Sequence, residues 1–172
     1  LAQQLKETYK EAEIHNDLGL AYTYSYHFDK ALKEFTVAEK LFREIENEEM
    51  VGVVFNNLGL LFNRKNNYGK ELSYHHRALD IFEKLDLSGR KAMSYVNIGK
   101  VYIAKKDHKT AADFFIKAYK IYSQLGDNNR VVTCLNNIAA TYMYVGENEL
   151  SNLYFDKNIQ LLETMEDVDR NK

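Results

Sequence analysis

The chain has 172 residues, of which 45% are hydrophobic and 28% charged, and carries a net charge of -2. This balance fits one folded soluble domain and excludes a disordered polar tract. The near-neutral charge gives no general attraction to nucleic acid or anionic membrane, and no apolar run reaches the roughly eighteen residues of a membrane-spanning helix. The lone Cys134 excludes an internal disulfide and any cysteine-based metal site, and the absence of Pro and of Gly- or Ser-rich linkers marks no internal boundary.

Taken in chain order, residues 1–8 predict the tail of an earlier unit. Leu1 and Leu5 have the spacing that closes later helices at Leu41 and Ile45, Ile81 and Leu85, and Ile121 and Leu125. Repeat 1 covers 12–50, with helices predicted from about Ala12 to Tyr26 and from Asp29 to Glu46; repeats 2, 3 and 4 cover 51–90, 91–130 and 131–170. Each divides into two runs with the 3.6-residue period of an amphipathic helix. Polar clusters at Asn66-Asn67, Lys106-Asp107 and Glu147-Asn148 predict the turns and caps between them. Leu161, Met165 and Arg170 match Ile121, Leu125 and Arg130, so a fragment of a longer array is expected, with open ends available for self-association or for a covering partner.

The repeat is carried by several columns. Leu18-Gly19, Leu58-Gly59, Ile98-Gly99 and Ile138-Ala139 recur at a fixed spacing of 40 residues, as do Tyr22, Phe62, Tyr102 and Tyr142, and Phe35, His75, Phe115 and Phe155. A glycine inside a helix costs roughly 1 kcal/mol relative to Ala, so the column needs a reason. Ala139 in repeat 4 excludes a requirement for positive φ and leaves small volume as that reason. A second small column at Ala38, Ala78 and Ala118 predicts that the two helices of each hairpin touch there, with the aromatic columns filling the space to either side.

The order of aromatic or aliphatic, Leu, Gly and aromatic on the first helix, then small, aromatic and small on the second, resembles the tetratricopeptide repeat. Repeat 3 gives Tyr95, Ile98, Gly99, Tyr102, Ala111, Phe115 and Ala118, a nearly complete match; repeat 2 departs at Glu71 and His75, and repeat 4 at Ser151 and Asn158. The 40-residue length and the phrases SYVNIGKVY and CLNNIAATY are similar to arrays in bacterial sensor histidine kinases and regulators. The resemblance implies an all-α, right-handed superhelical solenoid of antiparallel hairpins whose concave groove is lined by the first helices.

The groove positions so implied include a regular polar column, Asp17, Asn57, Asn97 and Asn137, flanked by Asn16, Asn56 and Asn136. A carboxamide both donates and accepts, which suits the backbone of an extended peptide; the same amides also suit bonds between neighbouring helices or bridging water, and both roles stay open. Around them the resemblance places Tyr24, Arg64, Lys100 and Tyr144, together with Thr23, Asn63, Ile103 and Met143. Arg64 and Lys100 are expected either to share an anion or to be solvated surface cations. Glu13, Val53, Met93 and Thr133 stand where the chaperone-binding carboxylate clamp uses a basic residue, which argues against that clamp.

No phosphate loop, HExxH or serine elbow is present, so no catalytic, cofactor or metal site is expected. Cys134, among Val131, Val132 and Leu135, reads as a buried thiol. Adjacent His75 and His76 point about 100° apart on a helix and cannot converge on one ligand; His75 falls in the Phe column and reads as a packed core residue. The expected function is a protein-interaction module that binds a peptide or disordered segment in its groove, without nucleic acid or membrane insertion. A sensor domain that changes superhelix pitch and an inert spacer or self-association array are the alternatives. The compartment is left open, with cytoplasm favoured.

Overall fold

The computed structural model describes residues 2–170, and the side chains of residues 2–166. Among these residues every regular element is helical: α1 (Ala2–Tyr24), α2 (Phe28–Glu44), α3 (Glu48–Arg64), α4 (Tyr68–Lys84), α5 (Ser88–Ala104), α6 (His108–Leu125), α7 (Asn128–Tyr144) and α8 (Asn148–Arg170). They form two compact units, Leu1–Leu87 and Ser88–Lys172, each of two helical hairpins.

The helices end in the same way. A residue in the left-handed conformation recurs every twenty positions, at Tyr26, Glu46, Asn66, Asp86 and Lys106 and then at Gly126 and Gly146, with φ between 53° and 80°. The next backbone N–H returns to a carbonyl of the last helical turn, as from Asn67 to Phe62 at 2.9 Å and from Asp127 to Tyr122 at 3.0 Å. This is the Schellman arrangement, which satisfies carbonyls that a helix end would otherwise orphan. Four helices then start on a side-chain cap: Asn47, Asn67, Asp107 and Asp127 accept from the N–H groups of Met50, Lys70, Thr110 and Arg130, whereas His27 before α2 makes no such bond. Two helix-plus-link segments of twenty residues make the 40-residue period.

Close approach within a hairpin depends on the glycine column, but its partner differs from the expected Ala column. A Cβ on Gly19 or Gly99 would lie 2.6 Å from the ring of Phe35 or Phe115, and one on Gly59 would collide with His75. The aromatic ring of the second helix therefore lies in a notch on the first. Phe35, His75 and Phe115 are at most 3% exposed, and burying a Phe ring contributes about 1.5 to 3 kcal/mol. In the fourth hairpin Ala139 replaces the glycine, and Phe155 is 36% exposed. Phe155 is thus not buried as its counterparts are, which corrects the expectation that it joins the packed column.

Around these contacts unit 1 buries Phe42, Val51, Val54, Leu61 and Phe82, and unit 2 buries Tyr122, Val131, Leu135 and Ile138. Arg130, which the sequence leaves without a role, lies 5.2 Å over the ring of Tyr122 and pairs with the cap residue Asp127 at 3.3 Å. Residues 2–8 lie within α1, with no turn between them and the rest of the helix, and α8 runs unbroken to Arg170. Leu1 and the side chain of Arg170 lie outside the described residues.

Two stability changes follow. Gly99→Leu overpacks the Phe115 notch and should cost about 1 to 3 kcal/mol in chemical denaturation. Lys106→Gly removes a Cβ from an exposed left-handed position and should raise stability by up to about 1 kcal/mol in the same assay.

Candidate peptide-binding groove

In unit 1, the polar column of the first helices is closed on itself. Asn57 on α3 donates from Nδ2 to Oδ1 of Asn16 on α1 at 2.8 Å, and Asn16 Nδ2 reaches Asp17 Oδ1 at 3.4 Å. Asp17 is exposed and Asn57 half-buried. Asn56 is buried, and its Oδ1 accepts from His75 Nδ1 at 2.8 Å inside the hairpin. It is a core amide, which corrects its expected place in the groove; a side chain one residue along from Asn57 is rotated by about 100°. Thr23 and Asn63 also turn inward, Thr23 donating to the Gly19 carbonyl at 2.8 Å and Asn63 to Glu71 at 3.0 Å.

Arg64 is held by aromatic rings. Its guanidinium lies 5.1 Å from the Tyr24 ring centroid and 5.8 Å from that of Tyr26, and it donates to the Tyr26 hydroxyl at 3.2 Å. Cation–π contact at an exposed site is worth about 0.5 to 1 kcal/mol. Arg64 is thus engaged within unit 1.

Unit 2 differs at two of these positions, with Asn97 for Asp17 and Val96 for Asn16. Val96 holds the place of Asn16, and an isopropyl group accepts no hydrogen bond. Asn137, the counterpart of Asn57, has a buried Nδ2 without a hydrogen-bond partner. It borders a cleft of about 200 Å³ lined also by Lys100, Ile103, Phe115, Ala140 and Tyr144. Lys100 is exposed and Asn97 half-buried. Tyr144 is 72% exposed and stacks on His108, with ring centroids 5.3 Å apart. Asn136 is occupied elsewhere, accepting from Asn158 Nδ2 on α8 at 2.7 Å. The predicted residues therefore separate: Asn137, Lys100 and Tyr144 share a cleft, whereas Asn56, Asn57, Asn136 and Arg64 are bonded within the fold.

The buried titratable groups offer no convergent chemistry. Burial pushes the Cys134 thiol up to about 11, with the Asp127 charge adding to the effect, so the thiolate nucleophile is scarce at neutral pH. Among the described residues, no group of three or more His, Cys, Asp or Glu side chains is placed to hold a metal ion, and no helix is long and apolar enough to cross a membrane. Burial also raises the Glu71 carboxyl from its ordinary value of 4.5 to about 7, against the opposing Asn63 hydrogen bond; Glu71 Oε1 lies 4.0 Å from His75 Nε2.

Residues 90–163 match the family model of the tetratricopeptide repeat. No curated protein matches the chain. Among solved structures, the chain is similar to BtubC from P. vanneervenii, with 24% identity and a TM-score of 0.79 over 90% of this chain and 64% of that one. It is similar also to aspartyl phosphate phosphatase F from Bacillus subtilis, with 15% identity and a TM-score of 0.85 over 93% of this chain and 42% of that one. A third is a signal transduction ATPase with a tetratricopeptide repeat sensor from Pyrococcus horikoshii, with 17% identity and a TM-score of 0.68 over 96% and 33%. The chain spans less than two thirds of each of these proteins.

Glu71 gives stability a pH dependence whose sign is fixed. The folded state keeps the carboxyl proton to about pH 7, while the unfolded chain releases it near 4.5. This contribution is full below about 4.5 and is lost as the pH rises through about 7. Glu71→Gln should flatten the fall in melting temperature between about pH 5 and 8 that the unmodified chain shows.

Proposed function

We propose that this chain, an array of tetratricopeptide repeats, binds an extended segment of a partner protein, and that the α5 and α7 face of unit 2 holds the segment through Asn137. The fold is one whose stacked repeats present surfaces for protein partners. The observation that carries the proposal is the buried, unpartnered Nδ2 of Asn137. A buried donor left unsatisfied costs about 1 to 3 kcal/mol, and a peptide carbonyl or carboxylate oxygen entering the adjacent cleft would remove that cost. Ile103, Ala140 and Tyr144 offer the ligand apolar surface, and Lys100 supplies a cation at the same cleft. An acidic side chain beside an apolar one is the segment this combination suits. The tetratricopeptide repeat sensor named in the Pyrococcus protein supports a regulatory setting.

The contrast with Asn57 supplies the test. Asn137→Ala removes the unsatisfied donor, so it should leave the melting temperature the same or higher and weaken binding of a groove peptide recovered by pull-down by about 0.5 to 1.5 kcal/mol, whereas Asn57→Ala should lower stability by a similar amount. Unchanged affinity in Asn137→Ala would remove the proposed contact and favour a spacer or self-association role.

A further inference from the structure

A second cleft lies outside the proposed groove contacts, at the turn end of unit 2. It measures about 410 Å³ and is bounded by the first turns of α6 and α8 and the last turn of α7, within the range of small-ligand sites. Ala112 and Thr141 at the cleft are each 2% exposed. His108 Nδ1 is buried there with no hydrogen-bond partner, and the ring is fixed by its stack on Tyr144. The charged groups lining the cleft are Lys109, Asp113 and Glu147, all exposed. Neither acid is in an ion pair among the described residues.

Unit 1 has a cleft of about 380 Å³ at part of the corresponding place two repeats earlier, lined by Phe28, Asp29 and Lys65 among others. There Lys65 Nζ lies 5.5 Å over the Phe28 ring, and Lys70 Nζ lies 5.0 Å over the Phe62 ring. In unit 2 the same positions hold His108 for Phe28, Tyr142 for Phe62, Val145 for Lys65 and Leu150 for Lys70. Both internal ammonium groups are gone while the aromatic positions remain aromatic. Three neighbouring positions also change charge, Lys33 to Asp113 and Asn67 to Glu147 in the complementary direction and Asp29 to Lys109 in the opposite one, so with both internal ammonium groups lost the place becomes more acidic on balance.

From this exchange we infer that the cleft is a docking site for a lysine or arginine side chain of a partner protein. The methylene stem packs on Ala112, Val145 and Leu150, and the cationic head lies between Asp113 and Glu147. In the Nε2-protonated tautomer, His108 Nδ1 accepts one N–H from that head. The partner's cation thus supplies beside these rings the positive charge that Lys65 and Lys70 supply from within unit 1. The inference is independent of Asn137 and holds whether or not a peptide occupies the groove.

The test uses the whole chain, isotope-labelled, titrated in NMR with acetyl-Gly-Lys-Gly-amide and with the same peptide carrying norleucine or glutamate for lysine. The lysine peptide should give saturable shifts confined to 108–113, 141–145 and 147–150, and the other two should bind at least about tenfold more weakly, a difference of about 1.4 kcal/mol. Asp113→Asn combined with Glu147→Gln changes only exposed groups and should abolish the preference for lysine. Val145→Lys, which copies Lys65, should weaken the lysine peptide by about tenfold or more with an unchanged circular dichroism spectrum. Equal binding of the norleucine peptide, tighter binding of the glutamate peptide, shifts scattered over other acidic surfaces, no saturable shift, or full lysine preference in the double variant would each overturn the inference.

Discussion

Insertion of an aromatic ring into a glycine notch sets the geometry of the hairpins. With no side chain at Gly19, Gly59 and Gly99, the rings of Phe35, His75 and Phe115 reach almost to the opposite backbone, and this contact fixes the rotation of each first helix about its axis. Rotation decides which side chains are buried and which can meet a ligand. The column beside the notch is therefore held in one orientation, and a single change in it, such as Asn16 to Val96, has a defined structural result. Where Ala139 replaces the glycine, polar bonds join the two helices: Ser151 donates to the Ala139 carbonyl at 3.0 Å and Asn158 to Asn136 at 2.7 Å.

The second hairpin makes the same contact with a polar ring. His75 enters the notch at Gly59, and its neighbours are adapted to it: Asn56 accepts from Nδ1, while Glu71 and Asn63 lie on the other side. Satisfying a buried imidazole in this way uses two amides that would otherwise be candidates for the groove. The cost is a carboxyl that stays protonated to about pH 7, with one oxygen, Oε2, lacking a partner. In the hairpins with Phe at this position, Ala31 and Ala111 replace Glu71 and no such network forms.

Much of this was legible in the sequence because it repeats. The 40-residue spacing gave the hairpins, and Ala139 in place of glycine showed that the column is about volume. The partner of that column is the ring of Phe35, His75 or Phe115 and not the small residue at Ala38, Ala78 or Ala118; the sequence does not tell the two apart, because a small residue facing a small residue and a ring entering a notch leave similar patterns in one dimension. The links were partly hidden: five of the seven left-handed positions are not glycine, so the usual signal for a helix stop is missing, and only the caps at Asn67 and Asp107 showed through. Asn56 and Asn57 look equivalent in the chain, and only the helix rotation separates a core amide from one facing the neighbouring helix. The division after Leu87 has no compositional mark.

The candidate groove rests on a difference between two amides that occupy the same column. Asn57 is closed by Asn16, whereas Val96 leaves Asn137 open. The most direct measurement follows the side-chain amide signals of both residues by NMR, in the free chain and with a groove peptide added. On this account Asn57 gives slowly exchanging amide protons that do not respond to the peptide, while the Asn137 signal moves on binding and its exchange slows. Movement of the Asn57 signal with Asn137 unchanged would contradict the assignment of open and closed amides on which the proposed function depends.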